Sequence, residues 1–230
     1  SNASALDLGK LIHQDILGSD EKCDSNVGAA LINMYTKCGT IDDVQRAFDS
    51  LTTGQGVDVW NLMIAAHVQH GLHKEALRIF EKMCEQPMLV QPNKVTFVHV
   101  LSACDNASLV SEGREFFKSM KSRYGITPLA EHYSCMVSLL GKAGLLEESE
   151  SYLKDMPSEP SGFVWMTMLN ACKLHGDLKR AEEAVKRVID MDEYNVEACR
   201  ILASMYDAAG IQVDDGLNIT KLEDQMGNVT

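Results

Sequence analysis

Six windows of twenty-two residues in this 230-residue chain can be laid over one another. They are Ala30–Leu51, Leu62–Met83, His99–Met120, Cys135–Met156, Thr167–Val188 and Ile201–Leu222, and their starts fall 32, 37, 36, 32 and 34 residues apart. A period in the mid-thirties with helical patterning marks a stack of helix pairs. No other feature restricts the fold as strongly. One pair cannot bury its own apolar faces and must stack on its neighbours.

The superposition is chemical as well as numerical. The tenth window position reads Gly39, Gly71, Ser108, Gly144, Gly176 and Gly210, and a glycine there ends the first helix by adopting the left-handed conformation cheaply. The nineteenth reads Phe48, Phe80, Phe117, Leu153, Val185 and Ile219, and the last Leu51, Met83, Met120, Met156, Val188 and Leu222. Three residues apart, these positions share one face of the second helix. Leu31/Ile32, Met63/Ile64, Val100/Leu101, Met136/Val137 and Met168/Leu169 anchor the first. Each unit therefore reads as two helices of ~11–14 residues around a short turn. Pro87, Pro92, Pro128, Pro157 and Pro160 all fall between windows, where helices should stop. No alternating strand pattern is present, so the expected class is all-α, a right-handed α-solenoid of helix–turn–helix repeats.

Ser1-Asn2-Ala3 reads as the remnant of an expression tag. Ala5–Leu17 reads as the second helix of a unit whose first helix is missing, so the natural start is expected to lie upstream. At the other end, Gln212–Gly216 disturbs the last window and Gly227–Thr230 is expected to fray. No run reaches the ~18 apolar residues of a membrane span. The seven cysteines are odd in number and form no Cys-x-x-Cys pair, which argues against a disulfide framework and a structural zinc site. The formal net charge of −12 opposes binding to a polyanion, since lysine and arginine usually supply most of that affinity.

The units resemble pentatricopeptide repeats of the plant class that mixes short (S), standard (P) and long (L) repeats. ALINMYTKCGTIDDVQRAFDSL (30–51) resembles a short repeat, VWNLMIAAHVQHGLHKEALRIFEKM (59–83) a standard one, and residues 93–128 and 131–160 the final long and short ones. Residues 164–192 and 198–210 resemble the two extension (E) motifs that close such proteins. The expected organisation is a tag remnant at 1–3, a partial L repeat at 4–24, and an S repeat at 25–56. A P repeat at 57–93, an L repeat at 94–129 and an S repeat at 130–161 follow, then E motifs at 162–226 and a tail at 227–230. The resemblance implies a mitochondrial or chloroplast protein that binds single-stranded organelle RNA, most often to direct cytidine-to-uridine editing. It also implies a cytidine deaminase domain following in cis or recruited in trans, or an accessory editing factor. From the residues themselves, no cofactor, no membrane and no catalysis by this chain are expected.

In helical-repeat RNA readers one repeat addresses one base through two or three side chains. The resemblance places these at the fifth and last residues of each repeat. For the standard repeat they are Asn61 and Asn93, a pair resembling the pyrimidine-reading combination, and an amide can both donate and accept against a base edge. The final short repeat offers Ser134 and Ser161. Ala29/Gly56 and Val98/Leu129 carry no strong reader. Val95 matches the apolar residue that flanks a base, whereas Asp58 in the same slot departs from the pattern and repels phosphate. The alternative for Asn61 is that it caps or borders its helix.

Other signals are weaker. His67, His70 and His73 suggest a metal cluster, and His73-Lys74-Glu75 spells the His-x-Glu of zinc deaminases, but the Pro-Cys-x-x-Cys segment that completes such a site is missing. Cys104 and Cys172 share a repeat position suited to packing between helices rather than to nucleophilic attack. Trp60 and Trp165 open equivalent first helices, so core packing is expected before base stacking. The chain thus reads as an RNA-binding module. The alternative is a protein-docking scaffold that uses the E motifs and binds little RNA itself.

Overall fold

The computed structural model describes residues 2–18, 25–51, 56–86 and 88–211. Pro87, Ile219, Leu222, Gln212–Gly216 and Gly227–Thr230, named above, lie outside these. The described residues form twelve helices and no strand. They are α1 (Asn2–Gly18), α2 (Ser25–Cys38), α3 (Ile41–Asp49), α4 (Val57–Gln69), α5 (His73–Cys84), α6 (Lys94–Asn106), α7 (Val110–Ser122), α8 (Ala130–Lys142), α9 (Leu146–Lys154), α10 (Gly162–His175), α11 (Leu178–Met191) and α12 (Val196–Ala209). Pro92, Pro128, Pro157 and Pro160 stand between helices. The chain divides into two compact units, Ser1–His132 and Tyr133–Thr230.

In the first unit each first helix packs on its own second helix and on the first helix of the next repeat: α2 on α3 and α4, α4 on α5 and α6. The apolar doublets make this possible. Ile32, Ile64, Val100 and Leu101 are fully buried, and Leu31 and Met63 nearly so. Such side chains each contribute roughly 1.5–3 kcal/mol on leaving water. Ring contacts carry the stacking from one repeat to the next. Phe48 meets Trp60 edge-on at 5.1 Å and Phe80 meets Phe97 at 5.6 Å. In both pairs the nineteenth window position of one repeat touches the fourth residue of the following first helix.

Local chemistry sets the helix ends. Thr40 caps α3 in a capping box with Asp43, whose carboxylate also takes Arg46. Burial pushes the Asp43 carboxyl up, but the Thr40 N–H and hydroxyl outweigh it and hold it below the ordinary value. At the tenth window position the backbone turns left-handed at Gly71, Ser108, Gly144, Gly176 and Gly210. Ser108 is the one non-glycine among the described residues to do so, at φ 56°. Gly39 departs from the expectation, since its φ is not positive. There glycine answers to crowding, because a Cβ would lie 2.8 Å from the Tyr35 ring and 3.0 Å from its carbonyl oxygen.

The second unit repeats the plan with α10 on α11 and both on α12. Val137, Leu169, Cys172, Ala181 and Ala184 are fully buried in its core. Ser149 is also buried, and its hydroxyl donates to the Val137 carbonyl at 3.0 Å. His175 closes the C-terminal end of α8 through Nε2, 3.0 Å from the Gly141 carbonyl. Arg180 ties α11 to α9, reaching Glu150 at 3.0 Å and Asp177 at 2.6 Å.

Candidate functional site

Stacking brings the fifth residue of α4, Asn61, to the first turn of α6. Asn93 is the N-cap of α6, with extended backbone, and forms a capping box with Thr96. Its Oδ1 accepts the Thr96 N–H at 3.1 Å, while the Asn93 N–H donates to Thr96 Oγ1 at 2.9 Å. Asn61 Nδ2 donates to the same Asn93 Oδ1 at 3.2 Å, and Asn61 Oδ1 accepts the Thr96 hydroxyl at 2.6 Å. Asn61 is 5% exposed and Thr96 fully buried. Two successive repeats are thereby joined by a three-residue polar network.

This network fixes the polarity of the site. An amide N–H can point only at an acceptor, so the cap forces Asn93 Oδ1 toward Thr96 and leaves Nδ2 on the other side. No partner for Asn93 Nδ2 is found among the described residues. The site therefore presents a hydrogen-bond donor, suited to a carbonyl or ring-nitrogen acceptor on a base edge. Asn61 works mostly from behind, orienting Asn93. Thr96 was missed in the sequence, although Asn-x-x-Thr ahead of an apolar run is a recognisable capping signature.

The other expected site residues are less organised. Val95 lies in the first turn of α6 at 50% exposure, beside the exposed Lys94. Asp58 takes the matching turn of α4 and is exposed. In the second unit Ser134 is half-buried on α8, and Ser161 is the exposed N-cap of α10 without a side-chain capping bond. The histidines do not gather: His67 is buried with Nδ1 2.8 Å from the Met63 carbonyl, and no group of three metal-ligating side chains occurs among the described residues. Cys104 and Cys172 are fully buried, and burial pushes the Cys172 thiol up to about 12. Trp60 is 4% exposed against Phe48, whereas Trp165 is half-buried. No described helix is long and apolar enough to cross a membrane.

Residues 55–106 match the PPR repeat family, and residues 131–160 and 163–192 each match the PPR repeat. The chain is built of pentatricopeptide repeats. A pentatricopeptide repeat-containing protein of Arabidopsis thaliana is 38% identical over 206 residues, covering 90% of this chain and 36% of that protein. A second from the same plant, named as mitochondrial, is 38% identical over 210 residues, covering 91% and 31%. This chain thus spans about a third of the length of these relatives. Among solved structures, maize PPR10 aligns with a TM-score of 0.71 at 15% identity, over 96% of this chain and 31% of that one. PPR10 in complex with an 18-nt psaJ RNA element aligns at 0.65 and 16% identity, over 94% and 32%. The PPR domain of Arabidopsis thaliana protein-only RNase P 1, in complex with tRNA, aligns at 0.59 and 14% identity, over 88% and 98%. At these identities the structural matches establish the fold, an all-α solenoid of pentatricopeptide repeats.

Proposed function

We propose that this chain is a single-stranded RNA-binding module of a mitochondrial or chloroplast protein, acting as a site-recognition factor for cytidine-to-uridine editing. The observation that carries the reading is the oriented Asn61–Asn93 pair, whose outward-facing amide, Asn93 Nδ2, stands beside the exposed Val95 and Lys94. A pyrimidine offers matching acceptors, and Val95 flanks the base. Ser134 and Ser161 contribute small polar contacts without strong base choice. Relatives named as mitochondrial and RNA-bound structures of the same fold support the assignment. The chain itself carries out no catalysis and requires no metal.

The test is binding of oligouridine, oligocytidine and oligoadenosine to a repeat-extended protein across a salt series. Affinity should fall steeply with salt and favour the pyrimidines. Salt-independent binding, or none, would remove the reading.

A second reading is favoured by the acidic balance of residues 162–226. Here the E motifs form a protein-docking surface for a deaminase domain, in cis or in trans, or for an accessory editing factor. Co-purification of the chain with a cytidine deaminase domain tests it.

A further inference from the structure

The second unit holds a groove of about 1000 Å³, the size of a built ligand site. Its apolar lining comes from Leu153, Met156, Pro157, Pro160, Trp165 and Met168. One wall is α9. The other is α11, where Lys179, Glu182, Glu183, Lys186 and Arg187 line the groove at three- and four-residue spacing and so share a helix face.

Charge is distributed unevenly here. Residues 133–211 contain eight lysines and arginines against thirteen aspartates and glutamates. Five of the eight cations line the groove, with only four of the acids. Three of those acids are already engaged: Glu150 by Lys154 and Arg180, Glu183 by Arg187, and Glu182 by the Tyr206 hydroxyl. Lys179 and Lys186 lie within ion-pair distance of no carboxylate among the described residues. Seven residues apart on α11, they stand two turns from each other, roughly 10 Å along the axis. Arg187, the residue after Lys186, lies over the Trp165 ring at 5.7 Å from its centroid.

We propose that this groove docks an acidic segment of a partner protein, with an apolar side chain seated on Trp165 and carboxylates on Lys179 and Lys186. The proposal rests on the protein-docking reading of the E motifs and is independent of the RNA reading of Asn61 and Asn93. A helical segment with acids seven residues apart matches the lysine spacing. RNA fits less well, because a continuous phosphate chain running from Lys179 to Lys186 passes Glu182 and Glu183, whereas carboxylates seven residues apart meet only the lysines.

The probe is an acetylated helical twelve-residue peptide with glutamates at its second and ninth positions and leucines between. Its companions are the isomer with lysine for glutamate, and oligouridine. Each is titrated into the whole chain by calorimetry and by acrylamide quenching. Trp60 is 4% exposed, so quenching of the two tryptophans reports mainly on Trp165. The acidic peptide should bind saturably and shield Trp165. The double variant Lys179→Glu/Lys186→Glu, checked for helix content by circular dichroism, should weaken binding about ten-fold. Lys173→Glu, outside the groove, should leave it unchanged. Equal binding of the lysine isomer, shielding by oligouridine instead, or no binding at all would overturn the proposal. So would undiminished capture of a deaminase domain by the double variant, an outcome that leaves the protein-docking reading standing with its site elsewhere.

Discussion

Asn61 on α4 donates its side-chain amide to Asn93, the N-cap of α6, across 3.2 Å. The residue proposed to meet a base and the residue that orients it are therefore also a joint between repeats. Any test of the RNA reading has to separate these roles.

Asn93→Ala should lower stability by about 1–2 kcal/mol, because it removes a helix cap and takes away the acceptor of the Thr96 N–H and the Asn61 amide. Urea unfolding measures this. Asn93→Asp keeps an acceptor for the Thr96 N–H and replaces only the free donor. It should unfold close to wild type yet lose the pyrimidine preference. Unchanged sequence preference in Asn93→Asp and Asn61→Ala would reduce both residues to structural roles.

Ser108→Gly should stabilise the first unit. A serine at φ 56° bears a left-handed backbone that costs an L-residue roughly 1–2 kcal/mol, partly offset by the greater freedom of glycine in the unfolded chain. The expected net gain is about 0.5–1 kcal/mol, read as a rise in Tm. A drop in Tm would show that the serine side chain contributes more than the strain costs.

Acidification should loosen the first unit before the second. Burial lowers His13, His67 and His99 below the ordinary histidine value, with Arg46 adding to the effect at His13. A lowered value means that the unfolded chain takes up the proton first. The stability these residues contribute is complete above about pH 6.5 and is lost as the pH falls through their folded values. Hydrogen exchange at pH 7.5 and pH 5.5 should show extra opening around α1, α4 and α6 and little around α10–α12. Uniform opening would contradict this.

The carboxylates act in a lower window. Lys154 and Arg180 hold Glu150 down against burial. At Asp177 burial pushes up, but the Arg180 backbone and guanidinium outweigh it. Their contribution is present above the ordinary values of 4.5 and 3.8 and disappears as the pH falls below them. In Arg180→Met the second unit should show a shallower loss of stability between pH 5 and pH 3. An unchanged acid profile would mean the bridge to α9 carries no net stability.

Cys104 and Cys172 should resist thiol reagents in the folded chain at pH 8, since both are fully buried and the Cys172 thiol is pushed up to about 12. Mass spectrometry after brief alkylation should find them unmodified and should find them reacting in urea. Rapid native labelling would reopen a chemical role for this repeat position.

Much of this architecture was legible in the chain. The doublets Met63/Ile64 and Val100/Leu101 and the phenylalanines at 48 and 80 recur at the repeat period because each unit meets the same neighbours in the same way. One-dimensional repetition therefore encodes the packing. The tenth position shows where that logic stops. Its register predicted a left-handed turn at Gly39, but the nearby Tyr35 ring makes glycine necessary there for space, and Ser108 bears the turn without being glycine. A turn propensity reports what the backbone tolerates, not what its neighbours require.

The candidate site divides in the same way. The repeat pattern supplied the register, and the resemblance to pentatricopeptide repeats singled out Asn61 and Asn93 within it, thirty-two residues apart. It was silent about Thr96, about the burial of Asn61 and about which amide group faces outward. The same holds for the groove beside Trp165, assembled from α9, α10 and α11. These depend on which side chains meet when helices stack, and a buried amide takes its orientation from the donors and acceptors that three-dimensional packing sets around it.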